Sequence, residues 1–191
     1  MPAALSHRLA AILACALAVC VPGVVRAAPP PFAAAFLSYP LPFGAAVLEV
    51  ADLDHDGHPD VLVSRPGGVD VLLGSADGVL TMGTPAPGGI APFFTHALAV
   101  GDVNGDGDLD FVVARDSLSI GVALGDGAGQ FAALLPAAVA KAPVALVLAD
   151  FDGDGDLDVA SVSTRADNVS ILLGNGDGTF APPGTVATGR R

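Results

Sequence analysis

From residue 44 onward the chain alternates between apolar runs five or six residues long and clusters of Gly, Asp and Pro. Runs of that length, rich in β-branched residues and bounded by turn formers, are strand signals, and none is long enough for a typical helix. The pattern recurs. Leu48-Glu-Val-Ala-Asp52, Leu98-Ala-Val-Gly-Asp102 and Leu146-Val-Leu-Ala-Asp150 each carry an apolar run into an aspartate, at offsets of 50 and 48 residues. A period near fifty residues marks a propeller, a solenoid or an array.

Each repeat reads as four short strands. The first precedes the aspartate, and the second begins at Asp60, Asp110 or Asp158 as Asp-Val-Leu-Val-Ser, Asp-Phe-Val-Val-Ala or Asp-Val-Ala-Ser-Val. The third ends in a glycine turn: Gly74-Ser-Ala-Asp-Gly78, Gly125-Asp-Gly-Ala-Gly129 and Gly174-Asn-Gly-Asp-Gly178. Such residues tolerate the positive φ of a tight hairpin. A fourth strand is expected to follow that turn and to run into a Pro-rich connection. Phe131 and Phe180 follow the second and third turns, where the first repeat has Leu80. Core packing between neighbouring sheets is the role this predicts for them. The fold class is therefore all-β, with about three repeats of four short strands.

The segments between strands one and two carry the chemistry. They read Asp52-Leu-Asp54-His-Asp56-Gly57-His-Pro-Asp60, Asp102-Val-Asn104-Gly-Asp106-Gly107-Asp-Leu-Asp110 and Asp150-Phe-Asp152-Gly-Asp154-Gly155-Asp-Leu-Asp158. Side-chain oxygens stand at positions 1, 3, 5 and 9, with glycine at position 6. Calcium takes about six to eight oxygens in a flexible shell, and this alternation lets a chain wrap the ion while position 6 turns sharply. Magnesium, with its tighter octahedron and retained water, suits the pattern less well. A bare Asx-turn loop would use the same residue types, but three in register concentrate like charges that need a cation. An EF-hand is excluded because it needs an acid at position 12, where this chain has Val63, Val113 and Ser161. A dockerin would continue into a helix, whereas Phe111-Val-Val-Ala continues as a strand.

Composition sharpens the picture. Of 20 acidic residues, thirteen fall within these loops, while the eight Lys and Arg are scattered. That distribution excludes a nucleic-acid binder. Arg8, the apolar stretch Leu9–Val21 and the small-x-small site Val25-Arg26-Ala27 predict an export signal over 1–27, followed by a Pro/Ala-rich lead-in over 28–38. The apolar stretch is shorter than the roughly 20 residues needed to span a bilayer, so no membrane span is expected after cleavage. Both cysteines, Cys15 and Cys20, lie inside the signal; the mature chain has no disulfide to rely on, although its destination is oxidising.

The loop Asp-x-Asp/Asn-x-Asp-Gly-x-x-Asp, followed by Leu-Leu-Gly-Asn-Gly-Asp-Gly-Thr-Phe, resembles the FG-GAP/VCBS repeats of integrin α-subunit propellers and bacterial secreted proteins. The resemblance covers residues 39–191, with blades at about 44–90, 91–140 and 141–188. It implies metal ligation by Asp52, Asp54, Asp56 and Asp60, by Asp102, Asn104, Asp106 and Asp110, and by Asp150, Asp152, Asp154 and Asp158. His58, Asp108 and Asp156 would add backbone oxygen. The implied cofactor is calcium, about one ion per repeat and up to three. The first loop departs most, with Pro59 at position 8 and histidines at 55 and 58.

Closed propellers have about four to eight blades, so three repeats predict an open arc, a piece of a longer array, or half of a six-bladed dimer. Exposed strand edges would then favour self-association. Arg65, Arg115 and Arg165 each follow a second strand, either as ordinary strand-end cations or as a basic rim for an anionic glycan. No acid–base pair or nucleophile stands out; Tyr39 is the single tyrosine and His96 has no evident partner. The expected function is a secreted, non-catalytic module for adhesion or for protein or glycan binding, with structural calcium. Part of a polysaccharide lyase or hydrolase, or a structural piece of a surface assembly, are the alternatives.

Overall fold

The computed structural model describes residues 47–87, 97–115, 118–139, 143–163 and 168–187. The export signal, the lead-in, Tyr39, His96 and Arg165 lie outside the described residues. All of the described strands belong to the compact unit Leu41–Arg191.

Among the described residues, twelve strands form three four-stranded antiparallel sheets, each following sequence order. The first holds β1 (Val47–Ala51), β2 (Asp60–Arg65), β3 (Gly68–Leu73) and β4 (Thr81–Met82). The second holds β5 (Leu98–Gly101), β6 (Asp110–Ala114), β7 (Ser119–Ala123) and β8 (Leu135–Ala138). The third holds β9 (Pro143–Ala149), β10 (Asp158–Ser163), β11 (Asn168–Leu172) and β12 (Gly184–Ala187). Ala51 pairs with Asp60, Gly101 with Asp110 and Ala149 with Asp158. Each aspartate loop therefore closes the hairpin between the first two strands of its sheet.

Side chains alternate across a strand, so each sheet presents two faces. The second sheet is covered on both, which is why every residue of β6 is buried. One core joins Leu62, Val69 and Val71 of the first sheet to Phe111 and Val113 of the second. The other joins Val112, Ile120 and Val122 of the second to Val159 and Leu172 of the third. Burying side chains of this size stabilises by about 1.5–3 kcal/mol each. β5 lies against both β1 and β9, so the first strands stand side by side. Face-to-face sheets with adjacent first strands are the arrangement of successive propeller blades.

A fourth strand follows each glycine turn, as the sequence predicts. β8 and β12 start well beyond the glycine turn, because Phe131 and Phe180 first make isolated bridges back to Gly125 and Gly174. Those bridges aim the rings inward: Phe131 packs on the first core, 4.8 Å edge-on from Phe111, and Phe180 packs on the second.

Candidate metal centre

The three loops share one hydrogen-bond scheme. At position 1, Asp52, Asp102 and Asp150 each accept the N–H of the position-6 glycine, at 3.0, 2.9 and 3.1 Å. At position 3, Asp54, Asn104 and Asp152 accept the N–H of position 5. At position 5, Asp56, Asp106 and Asp154 accept the N–H of position 7, at 2.8 to 2.9 Å. Each oxygen turns the backbone by one step, so the acidic side chains converge on the inside of the loop.

Position 9 has a second task. Asp60, Asp110 and Asp158 are fully buried. One oxygen of each accepts the N–H of position 2, and the other accepts the N–H of the turn glycine Gly74, Gly125 or Gly174 at 2.6 to 2.8 Å. The carboxylate thus pins the loop to the far end of the third strand. The glycine is obligatory there, since a Cβ would collide with the carbonyl of Pro59, Leu109 or Leu157.

Position 4 carries a constraint that the sequence reading passed over. Gly105 and Gly153 stand there with φ of 73° and 83°, and His55 adopts the same left-handed backbone at φ 59°. The visible signal was glycine in two of the three loops. A non-glycine residue at such a φ is uncommon. His55 is held by an inter-sheet bond, its Nε2 lying 2.9 Å from Asp108 Oδ1, and this contact raises its pKa.

Asp52, Asp54 and Asp60 bring carboxylate oxygens within 4.8 Å of one another, and so do Asp150, Asp152 and Asp158. Asp56 and Asp154 stand outside these two groups. In the second loop Asn104 replaces the third acid, its amide donating to Asp106 Oδ2 at 2.7 Å. Among the described residues three buried side-chain oxygens lack a hydrogen-bond partner, those of Asp70 and Asn168 on strands and Asp52 Oδ1 in the first of these groups. Desolvation, then repulsion from Asp60, Asp56 and Asp52, holds the Asp54 carboxyl above its ordinary value. Desolvation and the neighbouring Asp154, Asp158 and Asp150 do the same at Asp152. Converging, mutually repelling oxygens with one left unpaired fit a hard cation that takes oxygen ligands. At position 7, the side chains of Asp108 and Asp156 lean over Gly127 and Gly176 of the following turn.

Arg65 Nε donates to the buried Asp70 at 2.8 Å. The backbone N–H of Arg115 donates to Ser119.

Comparison with known proteins places this geometry. Human integrin alpha-6 is 39% identical over 72 residues, a stretch covering 36% of this chain and 6% of the integrin. A solved lectin from Agrocybe aegerita, described as recognising non-reducing terminal N-acetylglucosamine, superposes with a TM-score of 0.51 at 22% identity. That superposition covers 74% of this chain and 38% of the lectin, and supports the blade fold. The chain thus spans well under half the length of either. The FG-GAP-like repeat matches at residues 52–113, 102–161 and 150–191, and the chain belongs to that repeat family.

Proposed function

We propose that this chain is a secreted binding module of propeller-type blades whose aspartate loops hold calcium as a structural ion. The single observation that carries the reading is the unpaired, buried Asp52 Oδ1 inside a carboxylate triad that recurs at Asp150, Asp152 and Asp158. Positions 1, 3, 5 and 9 of each loop would supply side-chain oxygen, and His58, Asp108 and Asp156 backbone oxygen. Calcium there would offset the desolvation and the repulsion that raise the Asp54 and Asp152 pKa values, and would brace the hairpin joining the first two strands. Extracellular modules work at about 10⁻⁴–10⁻³ M affinity, which suits an exported protein.

The ligand class is a protein or a glycan. A stretch of the chain is similar to an integrin, and its fold to a lectin described as recognising N-acetylglucosamine. A non-catalytic role is supported by the commitment of the position-9 carboxylates to backbone N–H groups. Export is supported by the sequence of residues 1–27. Among the described residues, no helix is long and apolar enough to cross a membrane.

Glycan-array and melting measurements, with calcium and with a chelator, test the reading. Binding that needs calcium, together with a transition lowered by chelation, is the expected result. An unchanged transition removes the structural-calcium role.

A further inference from the structure

We propose that the cavity between the second and third sheets receives a leucine or isoleucine side chain of an extended polypeptide partner, whose backbone lies along the open edge of β8. This rests on the reading of the chain as a binding module, and commits that module, at this place, to a polypeptide instead of a glycan.

The cavity measures about 310 Å³, at the lower end of the roughly 300–1,000 Å³ of ligand pockets. Its floor is Val122 and Leu172, both members of the second core, so it is continuous with an interface the chain already makes. At the first interface the core gathers Val71, Ala86, Ala123, Phe131 and Leu134. Counted from the turn glycines Gly74, Gly125 and Gly174, the counterparts of these five are Val122, Ala137, Leu172, Phe180 and Pro183, and all of them line the cavity. The leucine has moved. In the second sheet Leu134 follows the turn and lies against Gly121, 3.0 Å from where a Cβ would stand. In the third sheet Ser170 takes the place of Gly121, Leu172 that of Ala123 and Pro183 that of Leu134. Leu172 is buried in the floor, and the Pro183 ring closes back on its own backbone, so the outer end of the interface stays open. Leu135 marks the gap. It shares a face of β8 with Ala137, which packs on the second core, yet it is 45% exposed.

The chemistry of the walls selects the occupant. The N–H groups of Gly178, Thr179 and Ala181 are already donated to Val103, Asp177 and Leu173. The Thr179 hydroxyl donates to Asp177 and accepts from Asn175. Pro136, Pro182 and Pro183 have no N–H to offer. A sugar would leave hydroxyls unpaired in such a place, at a cost, whereas an aliphatic group gains by leaving water. Acceptors stand beside the hole. The Val139 N–H donates to Leu118, and the antiparallel ladder alternates, so Pro136 and Ala138 turn their carbonyls away from β7. Both residues are exposed, and among the described residues β8 is the last strand of its sheet. An extended chain brings N–H groups to those carbonyls and an alternate side chain to the cavity. The proline walls are fixed in advance, which lowers the ordering cost of binding.

Selection of a displayed library of random nonapeptides on the purified full chain, at saturating calcium and again with chelator below the unfolding transition, tests this. Enriched peptides are expected to share Leu or Ile at one fixed position. Replacing that residue by Asn should weaken binding at least about tenfold, the loss of one buried aliphatic side chain. Pro183→Leu restores the residue of the first interface and fills the cavity; it should weaken binding by the same factor and leave the unfolding midpoint unchanged or higher. If Pro183→Leu fails to unfold cooperatively, Leu135→Asp on the exposed wall tests the same site. No enriched peptide, enriched peptides without an aliphatic position, or unweakened binding by the variants overturns the proposal. So does glycan binding that Pro183→Leu abolishes. Peptide binding together with a transition indifferent to chelation sinks the calcium reading alone, whereas a calcium-dependent transition with no enriched peptide sinks this proposal alone.

Discussion

Asp60, Asp110 and Asp158 are latches as well as candidate ligands, and the two roles separate by mutation. Asp110→Asn keeps the shape but places an amide donor against the N–H groups of Val103 or Gly125. Losing a hydrogen bond to a charged group costs about 1.5–3 kcal/mol. The destabilisation is expected with calcium or with chelator, read from the unfolding midpoint. Asp152→Asn sits at a position with no latch, so calorimetry should show weaker calcium binding while the chelated protein unfolds as wild type does. Asp177 is a different case, its pKa lowered by the Thr179 hydroxyl and then by the Thr179 N–H. A depressed folded value stabilises fully above the ordinary carboxylate range, and that stability is lost as pH falls through the folded value. Thr179→Val should move the Asp177 titration, followed by NMR, back upward. The ligand spacing was legible because alternation along one short loop is local. The latch was hidden because Asp158 bonds Gly174, sixteen residues away, and the left-handed position 4 was masked by His55.

The second sheet is covered on both faces. Phe111 is wholly buried and edge-packed on Phe131. Phe111→Ala should therefore cost about 3–5 kcal/mol, measured by denaturant unfolding. The first three strands of each repeat could be read from apolar runs bounded by Gly and Asp. So could the presence of a fourth, but not where it begins in the second and third repeats: the bridges of Phe131 to Gly125 and Phe180 to Gly174 consume the residues after the turn, and β8 and β12 pair only beyond them. The arginines after the second strands looked equivalent in sequence. Arg65 is instead tied to Asp70, and that acid has no counterpart in the other sheets, where Gly121 and Ser170 stand.

For the whole molecule, the proposed reading puts one ion in each of three loops, each bracing one blade, and predicts a calcium dependence that acts on the entire unit. Ligand binding to the folded state raises the unfolding free energy by RT ln(1 + [L]/Kd), about 2.7 kcal/mol at one hundred times Kd. The loops differ enough to rank. The first departs most from the repeat pattern, with Pro59 at position 8 and a strained His55, and should fill last. Calorimetric titration of calcium into the purified chain tests the central claim most directly. The account predicts saturable binding approaching three ions per chain, with one fewer after Asp150→Ala and Asp152→Ala together. An absence of saturable binding at millimolar calcium would contradict it.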